Sequence, residues 1–265
     1  MSVPVSPEMH ERVGGLLDEI AETEGVRILL AVESGSRAWG FHSPDSDYDV
    51  RFIYARPLDW HLSIRNRRDV IERPVDAVLD VSGWELKKAL RLALGSNAVV
   101  GEWLQSPVVY SEDAEARAAL TDFARGVLDR PAVSWHYLSL LRRQLERARI
   151  DGGVHLKRYF YALRPALALR WMRLKDAAMP PMDMAALMSG AGLEARAEDA
   201  LLALIERKKA LDESGVAGAP DPVLEALLAE EVALTETWLK DNRRMPPGDE
   251  AWQAADGLHR KFSQT

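Results

Sequence analysis

Two strand patterns bracket a turn between Val26 and Tyr54, and no other stretch constrains the fold as much. Val26 to Val32 (VRILLAV) is a nearly continuous apolar run, too short for a helix and rich in branched residues, which is the pattern of a buried strand. Gly35 to Ser46 is turn-rich, with Gly40, Ser43, Pro44, Asp45 and Ser46. Tyr48 to Tyr54 then alternates, with Tyr48, Val50, Phe52 and Tyr54 on one face and Asp49, Arg51 and Ile53 on the other. Residues two apart on a strand point the same way, so Asp47 and Asp49 share a face with Arg51 beyond them. Carboxylates held side by side repel, and one protonates unless a cation lies between them.

A divalent ion resolves that conflict. Paired hard oxygen ligands suit magnesium or manganese, which take one or two carboxylates together with phosphate oxygens. A third acid, Asp80, lies in the next strand candidate, Val75 to Val81, flanked by Leu79 and Val81, which should point away from it. If the two strands are neighbours, Asp47, Asp49 and Asp80 converge and can hold two ions for an in-line displacement at phosphorus. Asp80 is then the expected ligand for the ion that activates an attacking hydroxyl, and a candidate base. Gly35 and Ser36 supply a small turn where backbone N–H groups approach a phosphate, with the Ser36 hydroxyl and Arg37 as further donors. A D-x-D is common on solvated faces, and Gly-Ser is an ordinary turn. The specific signal is the combination: a strand, the Gly-Ser, a D-x-D eleven residues after the Ser, and an apolar-flanked Asp further on.

Around this stretch the chain reads as an α/β half, residues 1–110, followed by an all-helical half, residues 111–265. Pro7 to Glu24 has apolar residues at helical spacing. Leu58 to Asp69 is polar and irregular. Ser82-Gly83-Trp84-Glu85 matches a capping box ahead of a helix that runs to Leu94 and closes at Gly95. Ala98 to Leu104 reads as a short helix, and Ala114 to Leu128, Val133 to Ile150, Leu156 to Lys175 and Pro222 to Asn242 all carry helical periodicity. Pro165 is expected to kink or end its helix. The fold class expected is α+β, a small mixed-sheet domain and then helices.

The bulk numbers fit a folded globular chain: 265 residues, 47% hydrophobic and 28% charged. There is no cysteine, which excludes disulfides and thiolate sites. A basic n-region with an apolar run after it is missing from the start, and no uncharged stretch is long enough to span a bilayer, so the expected location is the cytoplasm. The net charge of -7 argues against general polyanion binding. From Ser134 to Lys175, however, ten Lys/Arg stand against two acids. That run fits either a solvated helix face with snorkelling arginines or a wall facing a polyphosphate. Within it Lys157, Tyr161 and Arg164 are spaced to share a helix face, and such a face suits a nucleotide as well as it suits solvent. Trp84 and Trp103 are expected in the core, and Trp39 is open because it lies beside the Gly-Ser turn. The six histidines show no metal-ligand spacing, and only His42 lies near the turn. Arg65-Asn66-Arg67-Arg68 reads as a solvated basic loop or a contact for RNA phosphate.

Ser34-Gly35-Ser36, Asp47-Tyr48-Asp49-Val50 and Leu79-Asp80-Val81 resemble the signature of the DNA polymerase β-type nucleotidyltransferase superfamily. GSRAWGFHSPDSDYDVRFIY, SGWELKKALRLALGSNAVVGEWLQSPVVY and HLKRYFYALRPALALRW are similar to the bacterial nucleotidyltransferase group that includes the RNA-repair-pathway enzyme RlaP. Tyr48 stands where the pattern usually has an aliphatic residue and should face the core. The resemblance implies two Mg2+ or Mn2+ ions held by Asp47, Asp49 and Asp80, an NTP donor, and NMP transfer to a hydroxyl with pyrophosphate release. It also implies nucleotide contacts from Gly35, Ser36, Arg37, Lys157, Tyr161 and Arg164, with the helical half closing the nucleotide cleft. The acceptor stays open between an RNA end and a protein hydroxyl, as in toxin–antitoxin AMP-transferases. A nucleotide-binding regulatory module without turnover is a further alternative, although a pure binder has little need for Asp80.

Overall fold

The computed structural model describes residues 5–43, 45–74, 78–151, 153–210 and 216–264. The chain is α+β and divides into two compact units. The first holds residues 1–38, 47–128 and 246–265, and the second holds residues 39–46 and 129–245. The division expected near residue 110 thus falls within the first unit, which also takes the end of the chain. No helix among the described residues is long and apolar enough to cross a membrane.

The first unit opens with α1 (Pro7–Glu24), which follows the predicted bounds. Ser6 caps it by accepting the Met9 N–H, and Gly25 ends it in the left-handed conformation. Then come β1 (Arg27–Glu33), the short α2 (Gly35–Trp39), β2 (Tyr48–Ala55), α3 (Leu58–His61), β3 (Val70–Pro74) and β4 (Leu79–Glu85). After β4 follow α4 (Leu86–Leu94), α5 (Ala98–Leu104), β5 (Val109–Glu112) and α6 (Ala114–Val127). The strands form one mixed sheet in the order β3-β4-β2-β1-β5. β2 and β4 run parallel, and the other neighbours are antiparallel. On one face Val13, Leu17 and Ile20 of α1 pack with Ala31, Val50, Phe52, Tyr54 and Val81. α4, α5 and α6 pack against the sheet as well. This is why β1 is apolar from Ile28 to Val32 and why Ile53, on the opposite face from Phe52, is also buried.

Two expectations change here. The third strand candidate began at Val75, but residues 75–77 lie outside the described residues, and β4 continues through Ser82 to Glu85. The Ser82 to Glu85 capping box does not form, because these residues pair with β2 and β3. Gly83 lets the strand continue: a Cβ there would meet the Phe52 ring at 2.2 Å. Glu85 is itself the cap of α4 and accepts the Lys87 N–H at 2.6 Å. The edge strand β3 lies just after the stretch expected to be irregular, in residues to which the sequence reading assigned no element.

The second unit contains α7 (Arg130–Ala148), β6 (Arg149–Ile150), β7 (Gly153–His155), α8 (Leu156–Lys175), α9 (Met184–Gly190), α10 (Ala195–Lys209), β8 (Val216–Ala217) and α11 (Pro222–Asp241). β6, β7 and β8 make a small antiparallel sheet that the helical reading did not anticipate. α8 continues through Pro165 to Lys175 rather than ending there. Among the described residues, four of the ten basic residues of the run pair with acids of α11. Arg170 and Arg173 both reach the buried Glu231, at 2.8 and 2.7 Å, Arg149 pairs with Glu225, and Arg142 pairs with Glu236. A final helix, α12 (Asp249–Ser263), belongs to the first unit and packs on α4 and α6.

Candidate active site

The parallel pairing of β2 and β4 places Asp49 directly opposite Asp80. The third residue on that face, Arg51, spans them: one guanidinium nitrogen, Nη2, lies 2.9 Å from Asp49 Oδ1 and 2.7 Å from Asp80 Oδ2. The other, Nη1, donates to the Val50 and Asp80 carbonyls. Two carboxylates therefore face one cationic group. Asp47 is exposed one residue before β2 begins, and among the described residues its carboxylate belongs to no cluster of three ligand groups within 4.8 Å of one another.

The Gly-Ser turn is built against Asp49. Gly35 has φ 61°, and a Cβ there would stand 2.1 Å from Asp49 Oδ2. Only glycine leaves that carboxylate its place. The Ser34 N–H donates to the Asp49 carbonyl at 2.8 Å. Ser36 and Arg37 are buried in α2. Arg37 Nε donates to the Asp47 carbonyl at 3.2 Å, and its guanidinium lies 3.7 Å above the Tyr48 ring. Tyr48 is half-buried at the margin of the core and carries Arg37 on its ring.

Sequence reasoning passed over Glu33. It is fully buried at the end of β1, where its Oε1 accepts the Asp49 N–H at 2.9 Å and its Oε2 accepts the Tyr110 hydroxyl at 2.6 Å. Burial pushes its carboxyl up to about 7, against the lowering effect of these two hydrogen bonds. The available signal was a lone acid closing an apolar strand just before the Gly-Ser turn.

Beside Asp80 an open groove of about 490 Å³ is lined by Ser34, Arg51, Asp80, Ser82, Trp84 and Trp103, among others. The Trp84 and Trp103 rings stack with centroids 3.7 Å apart. Trp103 is buried as expected, whereas Trp84 is only half-buried.

Lys157, Tyr161 and Arg164 lie on α8 in the second unit. Lys157 and Tyr161 are half-buried. Arg164 is 1% exposed; its Nε donates to the Met182 carbonyl and its guanidinium lies 4.6 Å from the Trp39 ring. Trp39 also meets Tyr161 edge-on at 4.9 Å, and Phe41 stacks on Phe160 at 4.6 Å. Those aromatic contacts explain why residues 39–46 belong to the second unit. Trp39, left open by the sequence, packs there against Tyr161 and Arg164.

The sequence matches the family described as "RlaP: RNA repair pathway DNA polymerase beta family" over residues 9–261. It is 43% identical over 201 residues to the uncharacterized protein YcgL of Bacillus subtilis (strain 168), covering 76% of this chain and 77% of that one. Among solved structures it is similar to a nucleotidyltransferase-like protein from Exiguobacterium sibiricum 255-15, with 16% identity and a TM-score of 0.32, over 95% of this chain and 87% of that one.

Proposed function

The chain belongs to the RNA repair pathway DNA polymerase beta family, of nucleotidyltransferase type, and on that premise we propose that it transfers an NMP from an NTP to a hydroxyl, an RNA end being the acceptor. The observation that carries this reading is the Asp49–Asp80 pair, in register on parallel strands with Gly35 pressed against one of its carboxylates. Two carboxylates against one guanidinium leave an excess negative charge on hard oxygen donors, which fits Mg2+ or Mn2+. Asp49 and Asp80, with Asp47, would hold two such ions, which when bound gather phosphates and make a hydroxyl more acidic.

The remaining chemistry falls to the chain. The acceptor oxygen forms a bond to the α-phosphorus as the bond to the pyrophosphate oxygen breaks. Asp80, whose side chain is 60% exposed, takes the acceptor proton. The N–H groups of Gly35 and Ser36 and the Ser36 hydroxyl donate to phosphate oxygens. Arg37 acts by fixing the Asp47 backbone. Within the second unit Tyr161 and Arg164 both pack on Trp39, and Lys157 lies one turn before Tyr161 on α8. The stacked Trp84 and Trp103 in the groove beside Asp80 favour an acceptor that carries bases.

The test is incubation with each α-labelled NTP, Mg2+ or Mn2+, and RNAs of defined end chemistry. Labelled RNA that loses its label in Asp80→Asn supports the reading. Intact-mass analysis that finds an NMP increment on a protein instead moves the acceptor to a protein hydroxyl. No transfer to RNA, protein or small molecules, together with no NTP binding, refutes it.

A further inference from the structure

The histidines lack ligand spacing in the sequence, but the fold gathers two of them around a buried acid in the first unit. His61 ends α3, Glu85 ends β4, and His259 lies on α12. His61 Nε2 stands 3.3 Å from His259 Nε2 and 3.5 Å from Glu85 Oε1. All three ligand atoms lie within 4.8 Å of one another. Glu85 is 1% exposed. Its Oε2 accepts the Lys87 N–H, whereas Oε1, the oxygen towards His61, accepts no hydrogen bond of normal geometry among the described residues.

Hydrogen bonds alone serve this cluster poorly. The His61 Nε2 atom carries at most one proton, and that proton goes to His259 or to Glu85 but not to both. If His259 donates to His61 instead, Glu85 receives no imidazole proton and keeps only the backbone N–H groups near its carboxyl, those of Arg56, Leu86 and Lys87. Burial raises its pKa against them, which is the cost of a buried negative charge without a cation. A cation among the three atoms satisfies them together.

We propose that His61, Glu85 and His259 bind one divalent transition ion of the zinc class, through two imidazole Nε2 atoms and one carboxylate oxygen. With bonds of about 2.0–2.2 Å, neighbouring ligands of a tetrahedral ion stand about 3.3–3.6 Å apart. Both separations from His61 Nε2, 3.3 and 3.5 Å, fall in that interval. Imidazole ligands select zinc and its neighbours over magnesium, unlike the all-oxygen set at Asp49 and Asp80. The two places are distinct: Glu85 is five residues beyond Asp80 on β4, about 16 Å along a strand. A neutral imidazole offers one lone pair from each ring.

Three protein ligands leave a fourth position. The adjoining pocket, about 200 Å³, is lined by Arg65, Arg67, Lys87, Lys88 and Arg91 together with His61 and Glu85. These cations oppose a bare metal ion and favour an anionic fourth ligand, hydroxide or a phosphate oxygen. The basic loop of the sequence reading thus lines a zinc and anion pocket. The ion also fastens α12 to α3 and β4.

The test is zinc uptake by the full chain after stripping with a chelator, read by elemental analysis after desalting and by calorimetric titration with ZnCl2. One zinc per chain is expected in wild type, in Asp80→Asn and in His136→Ala. Loss of that zinc is expected in His259→Gln and Glu85→Gln. Co2+ in place of zinc should give the visible absorption of a tetrahedral ion in wild type, and zinc should raise the melting temperature of wild type but not of His259→Gln. No stoichiometric zinc in wild type, or undiminished zinc in both ligand variants, overturns the proposal. If both variants fail to fold, the wild-type Co2+ spectrum decides, and its lack of tetrahedral absorption also overturns the proposal. Inorganic phosphate bound by the stripped chain with no zinc uptake does the same.

Discussion

Gly35→Ala isolates the contact on which the candidate active site rests. Gly35 has φ 61°, and an added Cβ would stand 2.1 Å from Asp49 Oδ2. The left-handed backbone costs a non-glycine residue about 1–2 kcal/mol. The carboxylate must also retreat by roughly 1 Å to regain an ordinary contact distance. A misplacement of that size at a reacting centre costs on the order of 100-fold in rate. Gly25 supplies the control, since it has the same φ of 61° and nothing within 4 Å of an added Cβ. Both alanine variants should lose about 1–2 kcal/mol in urea unfolding. Only Gly35→Ala should also lose about 100-fold in single-turnover NMP transfer at saturating NTP. Transfer by Gly35→Ala equal to that of Gly25→Ala would refute the placement of Asp49 as a ligand seated by this glycine.

Asp49→Asn and Asp80→Asn should each abolish most transfer while unfolding within about 1 kcal/mol of wild type. The relieved repulsion is offset by the lost pairing with Arg51, so a clear gain in stability on denaturant titration would contradict the bridged arrangement. Arg51→Ala removes the cation that competes for the same oxygens, and should bind Mn2+ on the order of 10-fold more tightly by titration; weaker binding would show that Arg51 assembles the site instead. Glu33, raised to about 7 in the folded chain from 4.5, binds its proton more tightly when folded, so stability should fall as pH rises from about 4.5 to 7 and level off above. The span is about 3 kcal/mol, and Glu33→Gln should flatten it; an unchanged slope in that variant would assign the pH dependence elsewhere.

Much of this fold is legible in the chain because local and tertiary signals agree. α1 has a capping serine, a helical apolar stripe and a left-handed glycine, so its bounds follow from residues 6–25 alone. β1 and β2 show their burial in their periods. The signals fail where long-range contact decides. Ser82 and Glu85 satisfy a capping box by spacing, but Gly83 beneath Phe52 lets the strand continue for four more residues. β3 contains Glu72, Arg73 and Pro74 and is strand only because β4 offers it an antiparallel edge. The basic run from Arg142 to Lys175 looks free until α11 supplies Glu225, Glu231 and Glu236 some 60 or more residues later. The return of α12 to the sheet has no local signature, and the His61–Glu85–His259 cluster depends on it.

The candidate site divides in the same way. Asp49 and Arg51 share a face because strand alternation turns sequence spacing into a shared face, whereas Asp47 stands one residue before β2 begins. Whether Asp80 meets that face depends on strand order and register, which no local pattern carries: a shift of one residue would turn Asp80 away from Asp49 and bring Leu79 or Val81 into its place. Register here is held by residues that look unremarkable alone. Phe52 and Gly83 are paired partners, so the ring of one fits only opposite the missing side chain of the other. Glu33 fixes the other side of β2 by accepting the Asp49 N–H, and the Ser34 N–H donates to the Asp49 carbonyl. Asp49 is therefore held at its backbone from β1, at its side chain by Gly35, and at its charge by Arg51. A carboxylate held from three directions is pre-organised for a cation. That explains why the chain keeps a buried, proton-retaining glutamate at the end of β1, where an apolar residue would pack at lower cost.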